Sequence, residues 1–246
     1  MSLTLDTTVD RPVGASPADP TTRIRRIGGA LALPLAFALQ LICNARYAWV
    51  STESGLSDTE GNAETLEFYA RYPGSVVAMS ALAMVGVLIM IPGLLTALRV
   101  LRLARPRLAL SAVAVMIVGY VCYFGILIMN FSTVGLAEFS RAQPGAGVAA
   151  MLDAAPSAPI MMVFFGLFVL GNLVGTLLLG LAVLTSRVVP WWAGLLIMGW
   201  PVGHMINLLG GGEWFAVAGG LLEVTGLAIV ALAALRTSDS DWAARG

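Results

Sequence analysis

Two apolar runs joined by Gly210-Gly211-Gly212-Glu213 fill the stretch from Trp191 to Leu235. Each is long enough to cross a bilayer, which takes about 20 apolar residues in a helix. Each also carries one ionisable group near its middle: His204, the only histidine of the chain, and Glu223. A carboxylate at the bilayer centre costs about 2.5 kcal/mol or more on insertion scales, so it is expected to face the bundle interior and to have a partner. The short glycine turn makes the two runs antiparallel neighbours. The chain therefore reads as a multi-pass membrane protein with a polar spot at its midplane.

The same pattern extends over most of the 246 residues. Apolar residues lie in continuous blocks, without the period-2 or period-3.6 alternation of half-buried elements. A soluble domain of this length would carry far more than 11% charged residues. The blocks exceed 18 residues, which favours helices over the alternating signal of an outer-membrane barrel. The net charge is zero and no basic run is present, so nucleic acid is not an expected partner. Cys43 and Cys122 fall inside apolar blocks and read as small core residues, with no metal motif around them.

Residues 1–22 are polar and aperiodic and read as a disordered tail. The first span is expected over Ile27–Val50, too long for a cleaved secretory signal. Residues 51–75 are polar and acidic. Within them Ala63–Tyr72 places Leu66, Phe68, Tyr69 and Tyr72 on one broad side and Glu64, Glu67 and Arg71 on the other, the pattern of a helix lying on the membrane surface. Further spans follow at Val76–Leu98, Leu108–Phe131 and Pro159–Thr185. Between the last two, Ser132–Ala158 reads as a loop with a short helix at Val148–Ala155. The last two spans are the pair around the glycine turn. The fold class is all-α, a bundle of six transmembrane helices over 23–236, with two longer extracytoplasmic loops and a polar tail at 237–246.

Arginine placement sets the expected orientation. If the N-terminus is cytoplasmic, the inside segments hold Arg11, Arg23, Arg25, Arg26, Arg99, Arg102, Arg105, Arg107, Arg187, Arg236 and Arg245. Arg46, Arg71 and Arg141 are then the outside ones. That is 11 against 3 of 14 basic residues, all of them Arg. Both termini are expected in the cytoplasm and the protein in the cell (inner) membrane. Trp49 and Trp214 at one boundary, with Trp191 and Trp192 at the other, fit aromatic belts.

Three features together are similar to a large group of bacterial multi-pass integral membrane proteins. They are Arg26-Ile27-x-Gly29 opening the first span, Phe164-Phe165-Gly166-Leu167 in the fourth, and Arg187-x-x-Pro190-x-Trp192-x-Gly194-x-Leu196. The resemblance covers most of residues 23–210. It implies about six membrane helices and carries no activity with it.

Depth can be counted from helix ends at about 1.5 Å per residue. Glu223, His204, Asn172, Gln40 and Tyr120 all come out at about 18–20 Å from the inner boundary. Asn44 shares a helix face with Gln40, and Asn207 with His204. Gly171 and Gly175 flank Asn172, and Gly219 and Gly226 flank Glu223, where they let helices approach closely. Buried Asn, Gln and Tyr often only hydrogen-bond between helices, for about 0.6 kcal/mol each. An intramembrane carboxyl points instead to function. Two readings follow. One is a small permease or carrier, with an ion, proton or small-molecule pocket around Glu223 and His204. The other is a structural or regulatory membrane subunit whose polar layer is interhelical glue. The expected partners are the lipid bilayer, a small molecule or ion, and a second copy of the chain or another membrane protein. No cofactor is expected, and a single histidine excludes bis-histidine haem within one chain. No His/Asp/Glu cluster suggests zinc, and neither a nucleotide loop nor Gly-x-Ser-x-Gly suggests an enzyme.

Overall fold

A computed structural model describes residues 21–56, 61–154 and 159–245. They form helices and no strands. Six helices are long and apolar enough to span a membrane. The first span is α1, Thr21–Ser54. A short surface helix α2, Asn62–Arg71, leads into α3, Pro73–Leu101. The third span is α4, Pro106–Ala142, and a short helix α5, Val148–Ala154, follows it. The fourth span is composite: α6, Pro159–Val169, passes through a π-helical turn, Leu170–Gly175, into α7, Thr176–Ser186. The fifth is α8, Trp192–Ile206, extended by a second π-helical turn, Asn207–Gly211. The sixth is α9, Glu213–Arg236, and a terminal helix α10, Asp239–Ala244, closes the chain.

The spans close into a ring. α1 packs on α3, α3 on α4, α4 on α6 and α7, α7 on α8, α8 on α9, and α9 returns to α1. Sequence neighbours are therefore antiparallel neighbours in space, as short connections dictate. The α8–α9 turn depends on glycine: Gly210 and Gly212 have φ of 95° and 90°, a region closed to most L side chains. The ring leaves apolar side chains outward on every span. Leu31, Leu88, Leu110, Val163, Leu195 and Leu221 are each close to half exposed or more, which suits a lipid surround and not water.

The face with the termini carries Arg23, Arg25, Arg26, Arg99, Arg102, Arg105, Arg107, Arg187, Arg236 and Arg245. The opposite face, covered by α2 and α5, carries Arg46, Arg71 and Arg141. α2 lies as its pattern predicts. Leu66, Phe68 and Tyr69 are buried with Val50, Val76, Val134 and Ala137, and Tyr72 packs beside them. Phe68 meets the Tyr47 ring at 5.5 Å between centroids. Phe68→Ala should remove about 3 kcal/mol of local packing. Hydrogen exchange over 62–71 should then rise at least tenfold while the six spans stay protected; unchanged exchange there would show that α2 is held by something else.

Three sequence expectations are corrected. Residues 132–142 are helix and not loop: α4 continues three turns past Phe131. The extension buries Val134 and Ala137 against α2, and Arg141 Nη1 donates to Ala70 O at 3.0 Å. The apolar block ends at Phe131, but the helix does not need it once α2 supplies a partner. The polar segment 237–246 is not a free tail. Ser238 caps α10 by accepting from Asp241 N, and Trp242 is buried. Arg26 explains the fold-back: its Nε donates to Asp239 at 3.0 Å and its Nη1 to Leu235 O at 2.6 Å, at the carbonyl end of α9. The first span begins at Thr21, so Thr21 and Thr22 belong to helix; the rest of the expected tail, 1–20, lies outside the described residues.

Candidate functional site

The ring encloses a cavity of about 200 Å³ between α1, α4, the fourth span, α8 and α9. Each helix contributes one face. α1 offers Phe37, Gln40, Leu41 and Asn44, at i, i+3, i+4 and i+7, and α8 offers Trp200 and His204. α9 offers Glu213, Ala216, Gly220 and Glu223, with small residues between the two carboxyls. Ten residues along a helix span about 15 Å, so Glu213 and Glu223 mark the two ends of a channel-like space.

Six of the seven candidate residues line this cavity: Gln40, Asn44, Tyr120, Asn172, His204 and Glu223. The seventh, Asn207, lines a second cavity of about 260 Å³ nearer the loop face. The two cavities share Asn44, Tyr123, His204 and Glu213, and the second reaches Phe68 and Tyr69 of α2. The two cavities thus adjoin, and α2 covers the outer one.

Asn172 hydrogen-bonds through both ends of its amide. It sits in the π-helical turn of the fourth span, donates from Nδ2 to Tyr120 Oη at 3.1 Å and accepts from Trp200 Nε1 at 2.8 Å. Such turns insert a residue into the helix and often occur at functional positions. Gln40 donates to Ala83 O at 2.8 Å, which ties α1 to α3. His204 stacks on Trp200, with centroids 5.2 Å apart and planes at 22°. Asn207 Nδ2 donates to Glu213 Oε2 at 2.9 Å.

The central pair is not a direct pair. Glu223 is 4% exposed, so it faces the interior and not lipid. Its Oε1 and His204 Nδ1 each lack a hydrogen-bond partner among the described residues. Thr176, fully buried on α7, approaches the Glu223 carboxyl, yet its Oγ1 completes no hydrogen bond either. Among the described residues four buried side-chain polar atoms lack a partner, and three of them gather here. Native proteins seldom leave such groups unmatched, which makes this cluster the candidate site.

The walls are aromatic. Tyr120 meets Phe37, Tyr123 and Phe168 edge-on, at 6.0 to 6.5 Å between centroids, and Tyr123 stacks on Phe168 at 4.4 Å. Among the described residues no Arg lines the cavity. Sequence reasoning missed this aromatic wall and placed Glu213 only in the turn between the last two spans; its i, i+3, i+7, i+10 relation to Ala216, Gly220 and Glu223 was the available signal. Among the described residues no group of three or more His, Cys, Asp or Glu gathers to hold a metal ion. Cys43 and Cys122 are free and buried, and Cys43 Sγ donates to Met79 O at 3.2 Å.

Comparison with protein-family models, with curated proteins and with solved structures finds no match to this chain.

Proposed function

We propose that this membrane protein is a small carrier that takes an organic ammonium ion or amine into the pocket around Glu223 and His204. The observation that carries the reading is the buried Glu223 carboxyl, with an unpartnered oxygen, in an aromatic-walled cavity. A carboxylate supplies the opposite charge, and aromatic faces attract a cation by about 0.5–2 kcal/mol each, more as water is excluded. Glu213 at the far end and Asn44 and His204 between them offer acceptors along the way. Two carboxyls at opposite ends of the path make a poor cage for a bare divalent ion, which takes six or more oxygens. When the cation leaves, Glu223 holds a proton in its place, so exchange of cation for proton needs no other group.

The test is uptake by proteoliposomes with an acidic lumen, using labelled methylammonium, trimethylammonium and tetramethylammonium. At least one should enter faster than into protein-free vesicles, and Glu223→Gln should abolish the difference. No uptake of any of the three, or uptake indifferent to Glu223→Gln, overturns the proposal in favour of a structural or regulatory subunit.

Orientation belongs to the same reading. The arginine-rich face lies in the cytoplasm, the α2 roof faces outward, and the bilayer is the cell (inner) membrane. In a Cys-free background, Ser240→Cys should be labelled by a membrane-impermeant maleimide only after the cells are permeabilised. Labelling in intact cells would invert the topology.

A further inference from the structure

The fourth and fifth spans meet closely along one half only. On the side of the arginine-rich face, α7 packs on α8, and at their crossing a Cβ on Gly194 would strike Gly180 O. On the side of the loop face, α6 packs on α4 and not comparably on α8. The residues along this seam record the parting. On the fourth span Thr176, Asn172, Phe168 and Phe165 follow one another at helical spacing, as do Ile197, Trp200, His204 and Leu208 on the fifth. Thr176 and Ile197 are fully buried. Asn172 and Trp200 are 7% and 8% exposed, and Trp200 Nε1 donates to Asn172 Oδ1 across the seam. Phe168 and His204 are half-buried, and Phe165 and Leu208 are 54% and 61% exposed. Exposure rises in step on both sides, so the two helices splay towards the loop face.

The inner edge of the seam is a wall of the central cavity. Phe168, Asn172, Trp200 and His204 all line that cavity, together with Glu223. Phe168 carries the aromatic surface outward: its ring stacks on Tyr123 within the cavity and meets Phe165 edge-on at 6.4 Å. Phe165 stands about 10 Å nearer the loop face than Asn172 along the span. Neither α6 nor residues 205–211 contain a charged residue. A lipid tail can fill such a seam, yet it offers nothing to Glu223 Oε1, which has no hydrogen-bond partner among the described residues. A bare ammonium ion answers the carboxyl and leaves the apolar seam unused. An exposed apolar seam that borders a buried carboxyl suits a molecule that is cationic at one end and apolar at the other.

We propose that the central cavity takes its ligand sideways from the leaflet on the loop-face side, and that the ligand is an amphipathic ammonium ion. Its head sits at Glu223 and its alkyl chain lies in the seam between α6 and α8. This assignment rests on the ammonium reading of the pocket and narrows it to ions that partition into a membrane. The groups fall in the order such a molecule needs. The carboxyl lies deepest, the Trp200 and Phe168 rings come next and present π faces to the cation, and Phe165 and Leu208 flank the chain. Sideways entry also keeps the chain in apolar surroundings throughout, so only the head changes its environment.

The test uses the full chain in phosphatidylcholine vesicles and octyltrimethylammonium that bears a diazirine at the end of its chain. After illumination, peptide mass spectrometry should place most of the label on residues 160–168 and 202–209. Excess tetramethylammonium should lower that label at least tenfold, and so should Glu223→Gln, because both act on the head and neither touches the seam. Label on these segments that resists both is the ordinary labelling of a lipid-facing surface and overturns the proposal. Label absent from them overturns it as well, and means that lipid or a second copy of the chain occupies the seam. Uptake separates this result from the carrier reading. Glu223-dependent uptake of tetramethylammonium without competed label on the seam leaves the carrier and removes sideways entry. Competed label without uptake of any ammonium supports the seam and removes the carrier.

Discussion

Glu223→Leu should make the protein more stable and inactive at once. The side chains are similar in volume, so packing is nearly conserved. What changes is a buried carboxyl whose Oε1 has no hydrogen-bond partner among the described residues. Leaving such a group unsatisfied costs about 1–3 kcal/mol, and Leu removes that cost. In detergent the thermal transition should therefore rise by a few degrees, while ammonium uptake falls to the protein-free background. Glu223→Gln should leave the transition nearly unmoved and abolish uptake as fully. The opposite sign is what interhelical glue predicts: a carboxyl that held α9 to its neighbours would be missed, and Leu would lower the transition. A lowered transition with Glu223→Leu, with uptake intact, would thus remove the carrier reading and leave the structural one.

The features legible in the sequence are those that depend on length and period. Six apolar blocks longer than a bilayer is thick can only be spans, and short turns make neighbours antiparallel. Leu66, Phe68, Tyr69 and Tyr72 declared a buried side for α2 because a 3.6-residue period needs no tertiary information. Depth counting brought Glu223, His204, Asn172, Gln40 and Tyr120 to one level, and those five share a cavity. Helix rotation was not legible. Nothing local says that His204 turns onto Trp200 and leaves Glu223 to Thr176 and the cavity. The π-helical turn at Leu170–Gly175 was hidden for the same reason: it packs against α4, far away in sequence, and it carries Asn172. The continuation of α4 past Phe131 and the return of Trp242 depend on partners far away in sequence, Ala70 and Arg99.

That packing against α4 gives the second large effect. Gly171→Ala should destabilise the bundle by about 3 kcal/mol, the upper end for overpacking. A Cβ at Gly171 would stand 2.6 Å from Gly119 Cα and 2.8 Å from Val115 O. Both obstacles are backbone, so no rotamer change relieves them and the two helices must part. Gly166 lies five residues earlier on the same span, and a Cβ there meets nothing within 4 Å. Gly166→Ala should accordingly gain up to about 1 kcal/mol through helix propensity alone. Thermal unfolding of the two variants should move in opposite directions from the unaltered chain. The loss also reaches the site. Gly171 immediately precedes Asn172, whose amide joins Tyr120 of α4 to Trp200 of α8. Parting α4 from the fourth span lengthens the Asn172–Tyr120 bond and opens the cavity wall, so uptake by Gly171→Ala should fall even at temperatures where the variant remains folded. Equal stability of the two variants would show that the helices do not cross at Gly119 and Gly171, and the wall built on that crossing would have to be redrawn.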